Sequence, residues 1–200
     1  MLVLVVEKET EFKELVVNKS KFISQTTPCE SLSLLKQKLT HLWKEPFNNA
    51  SHIVYALRTK NDNDGIDAYF SDDGEPSGTA GKPLLNILEG RSMINTAVLV
   101  IRYYGGINLG TGGLVKAYSE AAQMSLEAAK FIKYMEYNFF KIILKYNILD
   151  QFIKLVSNIR GEVVEKKFDD NVTLHLKLPK GQELHLESFL KANQLDMIHV

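Results

Sequence analysis

The sequence predicts an α+β chain in two parts, an N-terminal domain over residues 1–132 and a C-terminal domain over 136–200. Two observations point there. Nine of the twelve glycines fall between Gly74 and Gly113, so the first part contains a stretch that asks for unusual backbone, whereas only Gly161 and Gly181 come later. After residue 130 the apolar pattern also changes, to a strand, helix, strand, strand, helix, strand order, which is the ferredoxin-like βαββαβ plan.

In the first part, residues 12–24 read as extended structure broken at Asn18-Lys19. Leu32, Leu35, Leu39 and Leu42 then recur at helical spacing behind Ser31, whose hydroxyl suits a helix cap. Ile53, Tyr55 and Leu57 alternate, as do Ile66, Ala68 and Phe70. The intervening Asn61-Asp62-Asn63-Asp64-Gly65 tolerates left-handed turn conformations, so a hairpin is expected, each strand burying one face. Pro83 opens a short helix containing Leu84, Leu85, Ile87 and Leu88. Residues 96–104 are apolar enough to lie at the centre of a sheet. Over 113–130 no Pro and no further Gly interrupts, and Leu114, Ala117, Ala121, Met124 and Ala128 form one stripe of a close-packing helix.

In the second part, a strand is expected over 137–145 and a helix over 148–159. A hairpin of 162–168 with 172–178 turns at Asp169-Asp170-Asn171, and a helix over 182–192 leads to a last strand over 196–200.

Composition narrows the function. Across 200 residues, 24 Lys and Arg cancel 24 Asp and Glu, so the whole molecule is not drawn to nucleic acid or to an anionic membrane, and such binding needs a local patch. The single Cys29 excludes an intramolecular disulfide, and no Cys/His cluster has zinc-ligand spacing, which fits a reducing, cytoplasmic setting. The apolar run 2–6 leads into Glu7, Glu9 and Glu11, unlike a signal peptide. No run approaches the ~20 apolar residues that a bilayer requires, so no membrane partner is expected.

Two stretches carry residues suited to chemistry. The first is Ser71-Asp72-Asp73-Gly74-Glu75-Pro76-Ser77-Gly78-Thr79-Ala80-Gly81-Lys82-Pro83. Its carboxylates suit Mg²⁺ and its hydroxyls and amides suit an anion, but Asp in turns also accepts hydrogen bonds from its own loop. The second runs from Arg102-Tyr103-Tyr104-Gly105-Gly106 through Gly110-Thr111-Gly112-Gly113 to Lys116, between a buried strand and a helix start. That junction offers free N–H groups to phosphate, with Arg102 and Lys116 for charge and the tyrosines for stacking. It is neither a Walker loop, since Thr111 stands at the lysine position, nor a complete dinucleotide fingerprint. The alternative is that the glycines permit tight packing, the tyrosines belong to the core, and Arg102 clamps a carboxylate of the 71–75 loop. Among single residues, His52 is expected to be a hydrogen-bonded structural histidine, Cys29 buried and inert, and Trp43 part of the core; Ser71, Ser77 and Ser119 lack a nucleophile elbow.

These stretches, together with Ser20-Lys21-Phe22-Ile23 and Ala50-Ser51-His52 with Tyr55-Ala56, resemble the IMPACT family in its bacterial, YigZ-like branch over roughly residues 1–130. The resemblance implies a first domain with the fold shared by a small-subunit ribosomal protein and domain IV of elongation factor G, and a ferredoxin-like second domain resembling modules of that factor. It also implies a role linked to translation, with no established reaction for bacterial members. Eukaryotic members regulate translation through an additional N-terminal domain, for which this chain has no room.

The expected function is therefore binding of RNA or a ribosomal surface, with a protein partner as an alternative and no cofactor. The contact region is Lys82, Arg102, Tyr103, Gly105, Gly106, Gly110, Thr111, Gly112, Gly113 and Lys116. The motif loop, structural or binding, adds His52, Asp72, Asp73, Glu75, Ser77 and Thr79. No catalytic residue and no metal ligand is assigned. The competing reading is a Mg²⁺-dependent enzyme acting on a phosphorylated small molecule or nucleotide, with Asp72, Asp73 and Glu75 holding the metal.

Overall fold

The computed structural model describes residues 3–200 apart from Asp62 and Asp64, so Leu2 of the N-terminal apolar run and two residues of the 61–65 turn lie outside the described residues. The chain divides into two compact units, the first ending at Tyr134 and the second running Met135–Val200.

In the first unit, β1 (Leu4–Val6) pairs with β7 (Phe131–Lys133) in a two-stranded ribbon that the sequence pattern did not announce. β2 (Lys13–Val17) and β3 (Ser20–Pro28) are joined by Asn18 and Lys19, both left-handed at φ 45° and 65°, which is the backbone of a tight hairpin turn. α1 (Leu32–Lys44) starts at Ser31, whose Oγ accepts the Leu34 N–H. Then follow β4 (His52–Lys60), β5 (Ile66–Ser71), α2 (Gly81–Gly90), β6 (Thr96–Tyr103) and α3 (Gly110–Glu127). The sheet is antiparallel in the order β2-β3-β6-β4-β5.

β6 lies in the middle and is buried on both faces. Val98 and Val100 pack with Phe22 and with Leu84, Leu88, Leu114 and Tyr118 of α2 and α3, while Ala97, Leu99 and Ile101 pack with Leu35 and Leu42 of α1. Each large apolar side chain so buried contributes about 1.5–3 kcal/mol.

Five expectations are corrected here. β4 buries both faces rather than one, because it lies between two strands: Ile53 and Leu57 enter the α1 core, Val54 and Ala56 the other. On β5 the apolar set Ile66, Ala68 and Phe70 stays exposed, because its register with β4 pairs Tyr69 with Leu57 and turns Tyr69, not its neighbours, to the α1 core. Trp43 is exposed rather than core, since the buried face of α1 is carried by Leu35 and Leu42. α3 begins at Gly110, not 113, so the last four glycine-motif residues form its first turn. Its buried face includes Tyr118, Ala122 and Ser125, the last with its Oγ satisfied 2.8 Å from Thr26 Oγ1, and excludes Ala128, which is exposed at the helix boundary after Glu127.

The second unit runs β8 (Tyr137–Leu144), α4 (Leu149–Asn158), β9 (Glu162–Phe168), β10 (Val172–Pro179), α5 (Glu187–Asn193) and β11 (Met197–His199). α5 is shorter than the periodicity suggests because Glu183–Leu186 winds as a tighter 3₁₀ turn. The antiparallel sheet order is β11-β8-β10-β9. Phe140, Ile142 and Leu144 of β8 and Val172, Leu174, Leu176 and Leu178 of β10 pack against Phe152 and Val156 of α4 and Leu190 of α5. Both helices thus cover one face.

Candidate nucleic-acid interface

Arg102 stands near the end of β6, directly opposite Phe22 of β3 and His52 of β4. Strand alternation places it on the same side as Val98 and Val100, so its side chain enters the interior rather than solvent. The guanidinium lies 5.4 Å from the Phe22 ring centroid, and the residue is 5% exposed. Nη1 donates to Glu75 Oε1 at 2.6 Å, and the Tyr118 hydroxyl donates to the same oxygen at 2.7 Å. Nη2 reaches Ser20 Oγ at 3.4 Å. Burial, then the hydrogen bond to Glu75 and its charge, hold the Tyr118 phenol far above its ordinary range. The charge of Arg102 is therefore committed to Glu75 inside the fold.

His52 closes the cluster. Its Nδ1–H donates to the Asp73 carbonyl at 2.7 Å, while Nε2 faces Glu75 Oε1 at 3.9 Å. Asp73 takes a left-handed φ of 49°, and its Oδ2 accepts the Ile53 N–H at 2.6 Å. Asp72 does different work: Oδ1 accepts the Ala80 and Gly81 N–H groups at 3.0 and 2.8 Å, and Oδ2 accepts that of Gly78 at 2.8 Å. It caps α2 from a distance, since Ala80 at the helix boundary has no side-chain oxygen to offer, and a carboxylate there also meets the positive end of the helix. Thr79 Oγ1 donates to the Pro76 carbonyl at 2.6 Å, and Ser77 lies on the exposed side of the loop. Two of the three carboxylates thus serve backbone amides and the third serves side chains. They do not converge, and among the described residues no group of three or more His, Cys, Asp or Glu side chains is placed to hold a metal ion.

The glycines separate into two kinds. A Cβ on Gly81 would stand 2.5 Å from the Ser71 carbonyl oxygen, and one on Gly105 would stand 2.1 Å from the Lys19 carbonyl carbon. These positions press the motif loops onto neighbouring backbone, and Gly105 N–H donates to Ser20 Oγ at 3.1 Å. Gly106 and Gly110 take positive φ, at 83° and 68°, with open space where a side chain would be. Gly112 also faces open space, without a positive φ.

The other expected contact residues are spread over the surface in unequal measure. Thr111 and Lys116 are exposed on α3, whose boundary residue Leu109 supplies no side-chain cap, and Gly113 is half-buried against Leu109 Cβ. Tyr103 is half-buried against the α1 core, whereas Tyr104 is exposed with its hydroxyl on Asn108 Oδ1 at 3.0 Å. Lys82 is exposed near the start of α2, its ammonium 5.9 Å from the Phe70 ring centroid. Sequence reasoning did not assign Tyr118 or Ser20 to the site. A tyrosine among the alanines of α3 was the available signal for the first, and the serine opening the first family motif for the second.

These features define a two-unit α+β protein whose glycine motifs are packed at one end and open at the α3 start. Residues 18–126 match the family model of the Impact N-terminal domain. The chain is 35% identical to an IMPACT family member of Haemophilus influenzae over 86% of its length and 82% of that protein's. It is 32% identical to the IMPACT family member YigZ of Escherichia coli, over 83% and 81%. A crystal structure described as that of a hypothetical protein superposes with a TM-score of 0.69 at 27% identity, covering 100% of this chain and 98% of the other. The chain belongs to the IMPACT family. No helix among its described residues is long and apolar enough to cross a membrane.

Proposed function

We propose that this protein is a translation-linked factor that binds RNA or a ribosomal surface through the open start of α3. The observation that carries the reading is Gly112. Glycine in a helix costs about 0.8–1.0 kcal/mol relative to alanine, yet neither a left-handed φ nor close packing within the chain calls for it there. A bare first turn is accounted for when another backbone approaches it, and the uncapped amides of that turn suit phosphate. Exposed Thr111, Lys116 and Tyr104 add a hydroxyl, a charge and a stacking face. The link to translation comes from the family resemblance. In the same reading the two units are the domains 1–132 and 136–200, the first with the fold of a small-subunit ribosomal protein and of elongation factor G domain IV. The second is a ferredoxin-like module, which its element and strand orders support.

Arg102 is left out of this surface because it is buried on Glu75. The Mg²⁺-enzyme reading loses its basis with the carboxylates, which already serve amides and Arg102.

The test is co-sedimentation of the purified protein with ribosomes across a salt series. Binding is expected at low salt and to fall as salt rises. Lys116→Ala should reduce the slope of log K against log salt by roughly 0.7–0.9, the value of one phosphate contact, and Gly112→Ala should weaken binding without loss of stability. Absence of sedimentation at low salt, or full binding by both variants, overturns the proposal.

A further inference from the structure

We propose that the uncovered face of the second unit's sheet is a stacking platform for single-stranded nucleic acid. It shares with the function proposed above only the class of ligand; its residues are separate. The outward positions of β8 are Tyr137, Phe139, Lys141 and Ile143, because Phe140, Ile142 and Leu144 turn to the helices. Tyr137 is 37% and Phe139 47% exposed, so two aromatic faces stand side by side, roughly 7 Å apart along the strand.

Positive charge is interleaved with these rings. Lys177 of β10 sits directly opposite Phe139, and its ammonium lies 4.3 Å from the Tyr137 ring centroid. Lys141 faces His175 across the same pair of strands, and Ile198 of β11 borders Lys141 on the other side. Neither β8 nor β10 places a carboxylate on this face. The acidic residues of this face lie on the edge strand β9, where Glu162 stands opposite Lys177 and Glu165 opposite His175, with Glu165 oxygens 3.2 Å from Lys167 Nζ and 3.8 Å from His175 Nε2, so the negative charge is held at the rim of the aromatic pair. Past Ile143, at the end of the sheet, a cavity of about 520 Å³ opens between Lys145, Asn147 and Asn171 and the end of α5 at Asn193, so it borders the aromatic pair's strand without lying on the same face.

This composition discriminates between occupants. The core of a protein-docking surface is depleted of lysine, whereas single strands are held by aromatic faces for bases and lysines for the backbone. A four-stranded sheet with helices on one face and aromatics on the other is also a known way to splay and stack single-stranded bases.

The test uses the full chain and fluorescently labelled mixed-sequence oligonucleotides of about 12 nucleotides, as RNA and as DNA, single-stranded and duplex, read by anisotropy across salt. Single strands should bind better than duplex. Phe139→Ala should weaken single-strand binding by about 5- to 150-fold, the worth of one stacked base, with circular dichroism unchanged. Phe139→Leu should lose nearly as much, since it keeps apolar area but no ring, and Lys177→Ala should lower the salt slope by about 0.7. Retention of affinity by Phe139→Leu would mean apolar docking and would sink the proposal, as would equal binding of duplex or no binding of any strand. If Lys116→Ala alters oligonucleotide binding while Phe139→Ala does not, the α3 surface stands and this one falls; the reverse result separates them the other way.

Discussion

Arg102 and Glu75 form a 2.6 Å ion pair with both side chains almost wholly removed from solvent. Removing one partner of such a pair leaves an uncompensated buried charge, which costs about 3–5 kcal/mol. Arg102→Met should therefore lower stability by that order in urea denaturation, while Arg102→Met with Glu75→Leu recovers much of it. RNA affinity per folded molecule should be unchanged in the double variant. A stable Arg102→Met protein that has lost RNA affinity would restore Arg102 to the contact surface.

Gly105 and Gly112 should respond to alanine in opposite ways. At 105 the new methyl meets the backbone of Lys19 and Ser20, so a loss of about 3 kcal/mol or more is expected. At 112 it meets nothing, and helix propensity should raise stability by up to about 1 kcal/mol. Thermal and urea unfolding of the two variants provide the comparison.

Asp72 holds three backbone N–H groups, two of them at the α2 start. Asp72→Ala should cost about 1–2 kcal/mol, the range for losing a helix cap, and should speed hydrogen exchange at Gly78, Ala80 and Gly81 before other amides. Uniformly faster exchange across the unit would contradict a local capping role.

Tyr118 makes alkaline stability fall. Its folded phenol stays neutral well above the ordinary value of 10.0, so above about pH 10 the unfolded chain releases a proton that the folded chain retains, and stability drops as pH rises. Tyr118→Phe should be less stable at neutral pH, since Glu75 loses a donor, but should show a shallower alkaline slope in the urea midpoint.

Glu9 acts at the other end of the scale. Burial opposes its ionisation, but hydrogen bonds from Lys38, Thr27 and Gln25 and the charge of Lys38 outweigh it and hold the carboxyl below 4.5. Its stabilisation is present above that value and is lost as pH falls through the depressed folded value. Glu9→Gln should reduce stability at neutral pH and flatten the acid limb, as followed by urea midpoints from about pH 6 to pH 3.

Local chemistry was legible in the sequence. The Asn18-Lys19 turn, the Ser31 cap, the apolar β6 and the alternation of β8 and β10 each depend on residues within a few positions of one another, so spacing alone determined them. The side of a sheet on which a residue ends, and what covers that side, depend on pairing between segments far apart in the chain. Register therefore decided that Arg102 turns inward to Glu75, that Ile66 and Phe70 stay outside, and that Tyr118 closes a polar cluster beneath the sheet's helices. The glycine motifs lie between these cases: their sequence announced special backbone, but only the approach of Lys19 to Gly105, and the empty space beside Gly112, distinguished a glycine that packing requires from one with open space around it.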